Sequence, residues 1–184
     1  MAKSAKSTSG KRKVPAKPGL TRSPLAPARF PKIANVRGVR LSGRAVGLKK
    51  HRGVKDLMVA AFAPGTTAAG VLTRSKCPSA PVEWCRTILP RGSARALVVN
   101  SGNANAFTGL AGDLQVVQTA GEAAHLLGCR AQDVYLASTG VIGEPRDPDY
   151  VASKLPEMKR ALGAGHWQDA AEAIMTTDTF AKGA

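Results

Sequence analysis

Large apolar residues are scarce before about Ile33 and then come in short bursts punctuated by Gly, Pro and Ser. Val39, Leu41, Val46 and Leu48, spaced by glycines and bases, predict short strand pieces around a turn at Ser42-Gly43. Leu57 to Ala63 is a continuous apolar run that stops at the turn pair Pro64-Gly65, and Thr67 to Thr73 follows at hairpin distance; both are expected as buried strands. Ala94 to Asn100 predicts a third strand, ending at Ser101-Gly102. Between Asp113 and Leu127 the period changes. Leu114, Val117, Gly121 and Ala124 recur at three- and four-residue steps, which predicts a helix with those residues on its buried face and Gly128 just past its end. Val134 to Ala137 predicts a short strand, and Pro148 to Leu162 and Trp167 to Met175 two helices split by Gly163-Ala164-Gly165. No internal repeat is visible. Strands mixed with helices imply an α/β or α+β domain.

Length adds that the 184 residues hold one ordinary domain and a tail. Residues 1–30 are rich in Lys, Ser, Ala and Pro and cannot bury enough surface to offset chain entropy, so a basic, disordered tail is expected there and a domain over 31–184. With an aromatic content of only 4%, the core must be built from Val, Leu, Ile and Ala. The formal charge of +15 suggests a polyanionic partner until it is located. Residues 1–50 carry 14 Lys and Arg and no acid, whereas 51–184 carry 13 bases against 12 acids. A nucleic-acid-binding protein acting through the basic N-terminal region, with Lys11-Arg12-Lys13 as its contact, is therefore the alternative from another class. A solvated tail is the preferred reading, and nucleic acid is not the expected partner of the body.

Other classes fall away on composition. No apolar run approaches a membrane span, and the start lacks the apolar segment of a secretory signal. Prolines at 15, 18, 24, 27 and 31 interrupt the amphipathic helix that a mitochondrial presequence would need. Cys77, Cys85 and Cys129 are odd in number and lack C-x-x-C spacing, so neither a disulfide framework nor a zinc site is expected; a reducing, cytoplasmic setting fits.

Three polar stretches follow predicted elements. In Asn100-Ser101-Gly102-Asn103-Ala104-Asn105-Ala106 amides alternate with small residues, which suits close approach of backbone to a ligand and suits a structural turn equally. In Ser138-Thr139-Gly140-Val141-Ile142-Gly143-Glu144-Pro145 a hydroxyl and a glycine N–H at a strand end could hold a developing oxyanion; a capped loop is the bland reading. Met175-Thr176-Thr177-Asp178-Thr179-Phe180 sets three hydroxyls beside one carboxylate, which could line a polar pocket but on local grounds reads as a helix end. His51, His125 and His166 have no Ser or Cys partner at a recognised spacing; His125 is expected beside the buried face of its helix, and His166 packs a helix start. No paired carboxylates stand out as general acid and base.

Taken together and in order, these stretches closely resemble the bifunctional glutamate N-acetyltransferase/ornithine acetyltransferase family of arginine biosynthesis, the ArgJ type. The resemblance also rests on Gly38-Val39-Arg40-Leu41, Gly47-Leu48-Lys49, Pro64 to Thr73 and Ala80-Pro81-Val82, and runs from about Pro31 to the end. It implies an αββα sandwich made by a precursor that cuts itself before an internal threonine, giving an α chain and a β chain. The new N-terminal threonine of the β chain would be the nucleophile, taking acetyl from N-acetylornithine and passing it to glutamate by ping-pong catalysis. Acetyl-CoA is left open as a further donor substrate; no cofactor and no metal are implied. The oxyanion hole of the family falls on Thr139 and Gly140, and substrate contact on the pair Thr176 and Thr177 without deciding between them. The implied partner is the β chain, in an α2β2 heterotetramer.

In the family, the Thr-Thr-Asp-Thr string leads through a further strand and a Gly-rich loop to the nucleophile, and residues 179–184 do not reach it. The expectation is an α-chain portion, inert by itself and poorly soluble through uncovered strand surface. Within enzymes, the alternative is a related self-processing aminopeptidase or amidase, or a side-pathway acetyltransferase on the same fold.

Overall fold

The structure, a computed structural model, describes residues 21–184. Lys11-Arg12-Lys13 and most of the expected tail lie outside the described residues. Four strands, β1 (Val39–Arg44), β2 (Leu57–Phe62), β3 (Ala96–Asn103) and β4 (Val134–Val141), form a single sheet in the order β1-β2-β3-β4. The first three are antiparallel and β4 lies parallel to β3. A parallel pair needs a crossover, and helix α2 (Gly109–Leu127) supplies it. The shorter helices α1 (Ala80–Ile88), α3 (Leu155–Arg160) and α4 (Trp167–Ala173) complete the fold.

The alternation of each strand sorts its side chains between two cores. Leu57, Val59, Ala96, Val98, Val134 and Leu136 meet Val116, Ala120, Ala123 and Ala124 of α2 and Leu155 and Met158 of α3. Leu41, Met58 and Ala60 on the other face meet Ala170 and Ala173 of α4. That second face is only partly covered: Leu97, Val99 and Tyr135 are half-buried and Ala137 is exposed. The mixed α/β architecture is as expected. Small residues set the helix–sheet distance. A Cβ on Gly43 would lie 2.1 Å from the Asp169 carbonyl oxygen, so the backbone of α4 rests directly on β1.

Several elements differ from the pattern-based expectation. β1 runs straight through Ser42-Gly43, and Val46 and Leu48 lie in the loop that follows. Thr67 to Thr73 is not a strand: β2 already has a neighbour on each side, and the segment keeps only an isolated bridge between Thr67 and Ser93. Helix α1 was not apparent from apolar periodicity, although Pro81 in its first turn, with Glu83 near its start and Arg86 near its end, is a legible helix frame. In α2 the buried stripe is Gln115, Val116, Thr119, Ala120, Ala123 and Ala124, whereas Leu114, Val117, Gly121 and His125 face outward. Close packing on the sheet selects small residues, so the bulkier Leu and Val misreport the face. The segment 148–162 holds one helical turn at Ala152–Lys154 and the short α3, because Pro156 fits a first turn but not a helix interior.

Residues 21–30, grouped with the tail on composition, run alongside 179–183. The Ser23 N–H donates to Thr179 Oγ1 at 3.2 Å, and the Phe30 ring lies against Gly183.

Candidate functional site

The three polar stretches converge at the ends of β3 and β4. β3 extends through Asn103, so Asn100 and Ser101 are strand residues rather than a turn, and β4 likewise continues through Thr139 and Gly140. The register pairs Asn100 with Ser138, Ser101 with Thr139 and Gly102 with Gly140.

The amides of the first stretch are scaffolding. Asn100, Asn103 and Asn105 are buried, and each is used internally. Asn100 Nδ2 donates to the Asn103 carbonyl at 2.9 Å, and the Ser138 hydroxyl donates to Asn100 Oδ1 at 2.6 Å. Asn103 Nδ2 donates to the Glu144 carbonyl at 2.7 Å, while its Oδ1 accepts the Asn105 N–H at 2.8 Å. Asn105 Nδ2 reaches the Gly112 carbonyl at 3.0 Å, fastening the start of α2. Asn105 and Phe107 have positive φ, 47° and 55°, so this connection holds backbone strain that the amide network offsets. Between ligand contact and structural support, which the sequence left open, the geometry favours support.

Thr139 and Gly140 sit beside this scaffold. Gly140 has φ 139°, and a Cβ there would lie 2.3 Å from the Gly102 carbonyl carbon and 2.6 Å from the Asn103 nitrogen. Only glycine lets the two strand ends approach so closely. β4 is an edge strand of the sheet, with one side turned away from β3. On that same side the Leu136 carbonyl accepts from the Cys85 thiol at 3.2 Å, and the Val134 carbonyl from Trp84 Nε1 at 2.9 Å. Helix α1 thus packs on the first half of this edge.

The third stretch brings Thr176 to the same place. Its Oγ1 lies 3.0 Å from Thr139 Oγ1, and its N–H donates to Asp178 Oδ2 at 3.2 Å. Thr177 is exposed and is not drawn into this pair. Asp178 also pairs with Lys182, which, with the Thr176 N–H, holds its carboxyl below the usual range. On the far side of the stretch, Ser101 Oγ donates to the Ala173 carbonyl at 2.5 Å, tying β3 to the end of α4.

Two residues that sequence reasoning passed over belong to this arrangement. Asp56 is 1% exposed, and its carboxylate accepts the N–H groups of Val46, Gly47, Leu48 and Lys49 at 2.7–3.1 Å. Lys49 Nζ donates to the carbonyls of Lys55 at 2.9 Å and Met175 at 2.8 Å. The available signal was that Asp56, the first acid in the chain, directly abuts the apolar run at Leu57. Nearby, Lys55 bridges Asp169 and Glu172 of α4. Burial alone would lower the Lys55 pKa, but the two carboxylates raise it above its ordinary value.

The discarded candidates stay apart. His51 and His125 are exposed, and His166 pairs with Asp169. All three cysteines are free, and no cluster of three or more metal-binding side chains occurs among the described residues. Nor is any helix among them long and apolar enough to cross a membrane.

Comparison with known proteins adds a family to this geometry. Residues 40–184 match the ArgJ family. Among curated relatives, the arginine biosynthesis bifunctional protein ArgJ of Nitrobacter winogradskyi is 52% identical over 164 residues, covering 87% of this chain and 39% of the relative. That of Gluconobacter oxydans is 53% identical over 169 residues, covering 92% and 39%. The chain thus spans about two fifths of the length of these relatives. Among solved structures, the ornithine acetyltransferase of Mycobacterium tuberculosis complexed with ornithine superposes with a TM-score of 0.73 at 37% identity, over 77% of each chain. The arginine biosynthesis bifunctional protein argJ of Bacillus halodurans gives 0.67 at 29% identity, over 78% of this chain and 74% of that one.

Proposed function

The chain belongs to the ArgJ family, and from that premise we propose that it is the α-chain portion of an acetyltransferase that moves acetyl from N-acetylornithine to glutamate. Its contribution is the oxyanion hole. The observation that carries this reading is the Thr139–Thr176 hydroxyl pair at 3.0 Å beside a Gly140 pinned on the neighbouring strand.

Attack on the acetyl carbonyl by a nucleophile converts the carbonyl oxygen to an oxyanion. In this reading the Thr139 hydroxyl and the Gly140 N–H donate to that oxygen. If Thr176 donates its hydroxyl proton to Thr139 Oγ1, the Thr139 proton is left to point at the oxyanion, and the two bonds in series strengthen each other. Collapse of the tetrahedral intermediate breaks the C–N bond, leaves the acetyl group as an ester on the nucleophile and expels ornithine as an amine that takes up the proton the nucleophile lost; attack by the glutamate amine then breaks the ester and returns a proton to the nucleophile. Donors fixed before reaction need no reorganisation as charge develops, and one such donor contributes about 10²–10³ in rate. Their placement depends on the close approach of Gly140 to Gly102 and on the buried amide network beneath.

The nucleophile is assigned to the complementary β chain, and an α2β2 assembly is the proposed whole. The half-covered sheet face at Leu97, Val99, Tyr135 and Ala137 supports a second sheet layer, as an αββα sandwich requires. Acetyl-CoA as a second donor, a cytoplasmic location and independence from metals and cofactors belong to the same proposal. Thr176, rather than Thr177, is the substrate-side hydroxyl that the geometry favours.

The test is a chimera in which the 184-residue chain replaces the matching portion of the Gluconobacter oxydans relative. Acetyl transfer from N-acetylornithine to glutamate is the expected result. Hydrolysis of the donor without transfer to glutamate would overturn it in favour of the amidase reading.

A further inference from the structure

Loop 45–56 has no part in the chemistry just described, yet it is built with unusual economy around one buried charge. The Asp56 carboxylate gathers four consecutive backbone N–H groups, from Val46 to Lys49. Such a set compensates a buried carboxylate and fixes the loop's path. The loop is fastened at two further points. The Tyr150 hydroxyl donates to the Leu48 carbonyl at 2.6 Å, and the Asp56 carbonyl accepts the Ser101 N–H of β3 at 2.8 Å.

What this loop delivers is Lys49. Its stem crosses the face of Gly102, where a Cβ would lie 3.1 Å from Lys49 Cγ. Gly102 has φ 118°, and the backbone of this same residue is what Gly140 presses against. The ammonium then reaches the Met175 carbonyl, one peptide unit before Thr176. A continuous line of contacts therefore runs from Asp56 through Lys49 and Met175 to the Thr176–Thr139 hydroxyl pair.

We propose that Asp56 and Lys49 form a positioning pair that sets the Thr176 hydroxyl against Thr139. Asp56 shapes the loop, and Lys49 holds the Met175 carbonyl. Neither touches the reacting atoms. Thr176 follows α4 in an irregular segment, where its backbone N–H donates to Asp178 Oδ2 and the Lys49 ammonium holds the carbonyl of the residue just before it. A misplacement of about 1 Å at such a group costs about 10² in rate.

This inference rests on the acyl-transfer reading, and its test separates the two. In the chimera, Lys49→Met should lower kcat for acetyl transfer about 100-fold with KM for N-acetylornithine changed less than about threefold. Lys49→Arg, which keeps a donor in reach, should recover at least a tenth of the wild-type kcat. A double-mutant cycle with Thr176→Val, scored per folded enzyme, gives the decisive number. If Lys49 acts through Thr176, Lys49→Met adds less than about threefold to the loss already caused by Thr176→Val. Two independent, multiplying losses overturn the proposal, as does a Lys49→Met enzyme within twofold of wild type. A wild-type chimera without transfer overturns instead the functional reading beneath it.

Discussion

Gly140→Ala puts the close approach of the two strand ends to a quantitative test. The added methyl would lie 2.3 Å from the Gly102 carbonyl carbon and 2.6 Å from both the Gly102 oxygen and the Asn103 nitrogen. Ordinary contact begins near 3.4 Å, so the strands must part by roughly 1 Å, and the obstacle is backbone that cannot rotate aside. The φ of 139° adds strain that alanine, unlike glycine, must bear. Strained backbone costs about 1–3 kcal/mol. Overpacking adds about 1–3 kcal/mol. The sum of about 2–6 kcal/mol is a large share of a typical folding free energy of about 5–15 kcal/mol. Urea unfolding of the chimera measures the loss, and kcat for acetyl transfer, expected to fall about 100-fold, measures the displaced hole. The internal control is Gly121→Ala, on the exposed face of α2 with open space around the new methyl; it should stabilise by about 0.5–1 kcal/mol. A Gly140→Ala enzyme that keeps both stability and kcat would refute the reasoning.

Other outcomes follow from the same contacts. Asp133 accepts from Arg130 at 2.8 and 3.0 Å and from Ser93 at 2.7 Å, and these bonds bring its pKa to about 2 from 3.8. A carboxylate with a lowered folded pKa contributes stability that is complete above about pH 4 and is lost as pH falls towards 2. Because Arg130 is largely exposed, about 1–2 kcal/mol is expected, and Asp133→Asn should flatten that acid limb of the unfolding profile. Iodoacetamide under native conditions should label exposed Cys77 well before Cys85, whose thiol is buried, pushed up by that burial and bonded to Leu136; equal labelling in a mass spectrum would contradict the packing of α1 on β4. Thr176→Val should lower kcat at least about 100-fold while Thr177→Val stays within about threefold, because only Thr176 meets Thr139; the reverse order in steady-state kinetics would reassign the pair.

Much of the fold was legible because β2, β3 and β4 each contain a short apolar run, although β3 and β4 continue past theirs through polar, glycine-bearing residues. The errors arose where tertiary context outweighed pattern. Leu114 and Val117 dominate the periodicity of α2 yet face outward, since the face packed on the sheet is built mainly of Ala, with Gln115, Val116 and Thr119. Thr67 to Thr73 had strand composition but no free edge beside β2. The site was legible as three separate strings, and resemblance assigned Thr139, Gly140, Thr176 and Thr177 their expected roles. That Thr176 rather than Thr177 meets Thr139 depends on where α4 ends, which no local spacing encodes. The roles of Asp56 and Lys49 were missed for a similar reason: apart from the placing of Asp56 against an apolar run, their partners are backbone groups, which leave no mark in composition.

The hydroxyl–glycine pair at the end of β4 is the centre of the account, and Thr139→Val addresses it most directly because the isostere keeps the volume and removes only the hydroxyl donor. Steady-state acetyl transfer from N-acetylornithine to glutamate, measured on the chimera and its Thr139→Val variant at matched folded concentration, should show kcat reduced about 10²–10³-fold with little change in KM. A variant that transfers acetyl within about threefold of the parent would contradict the assignment of Thr139 to the oxyanion.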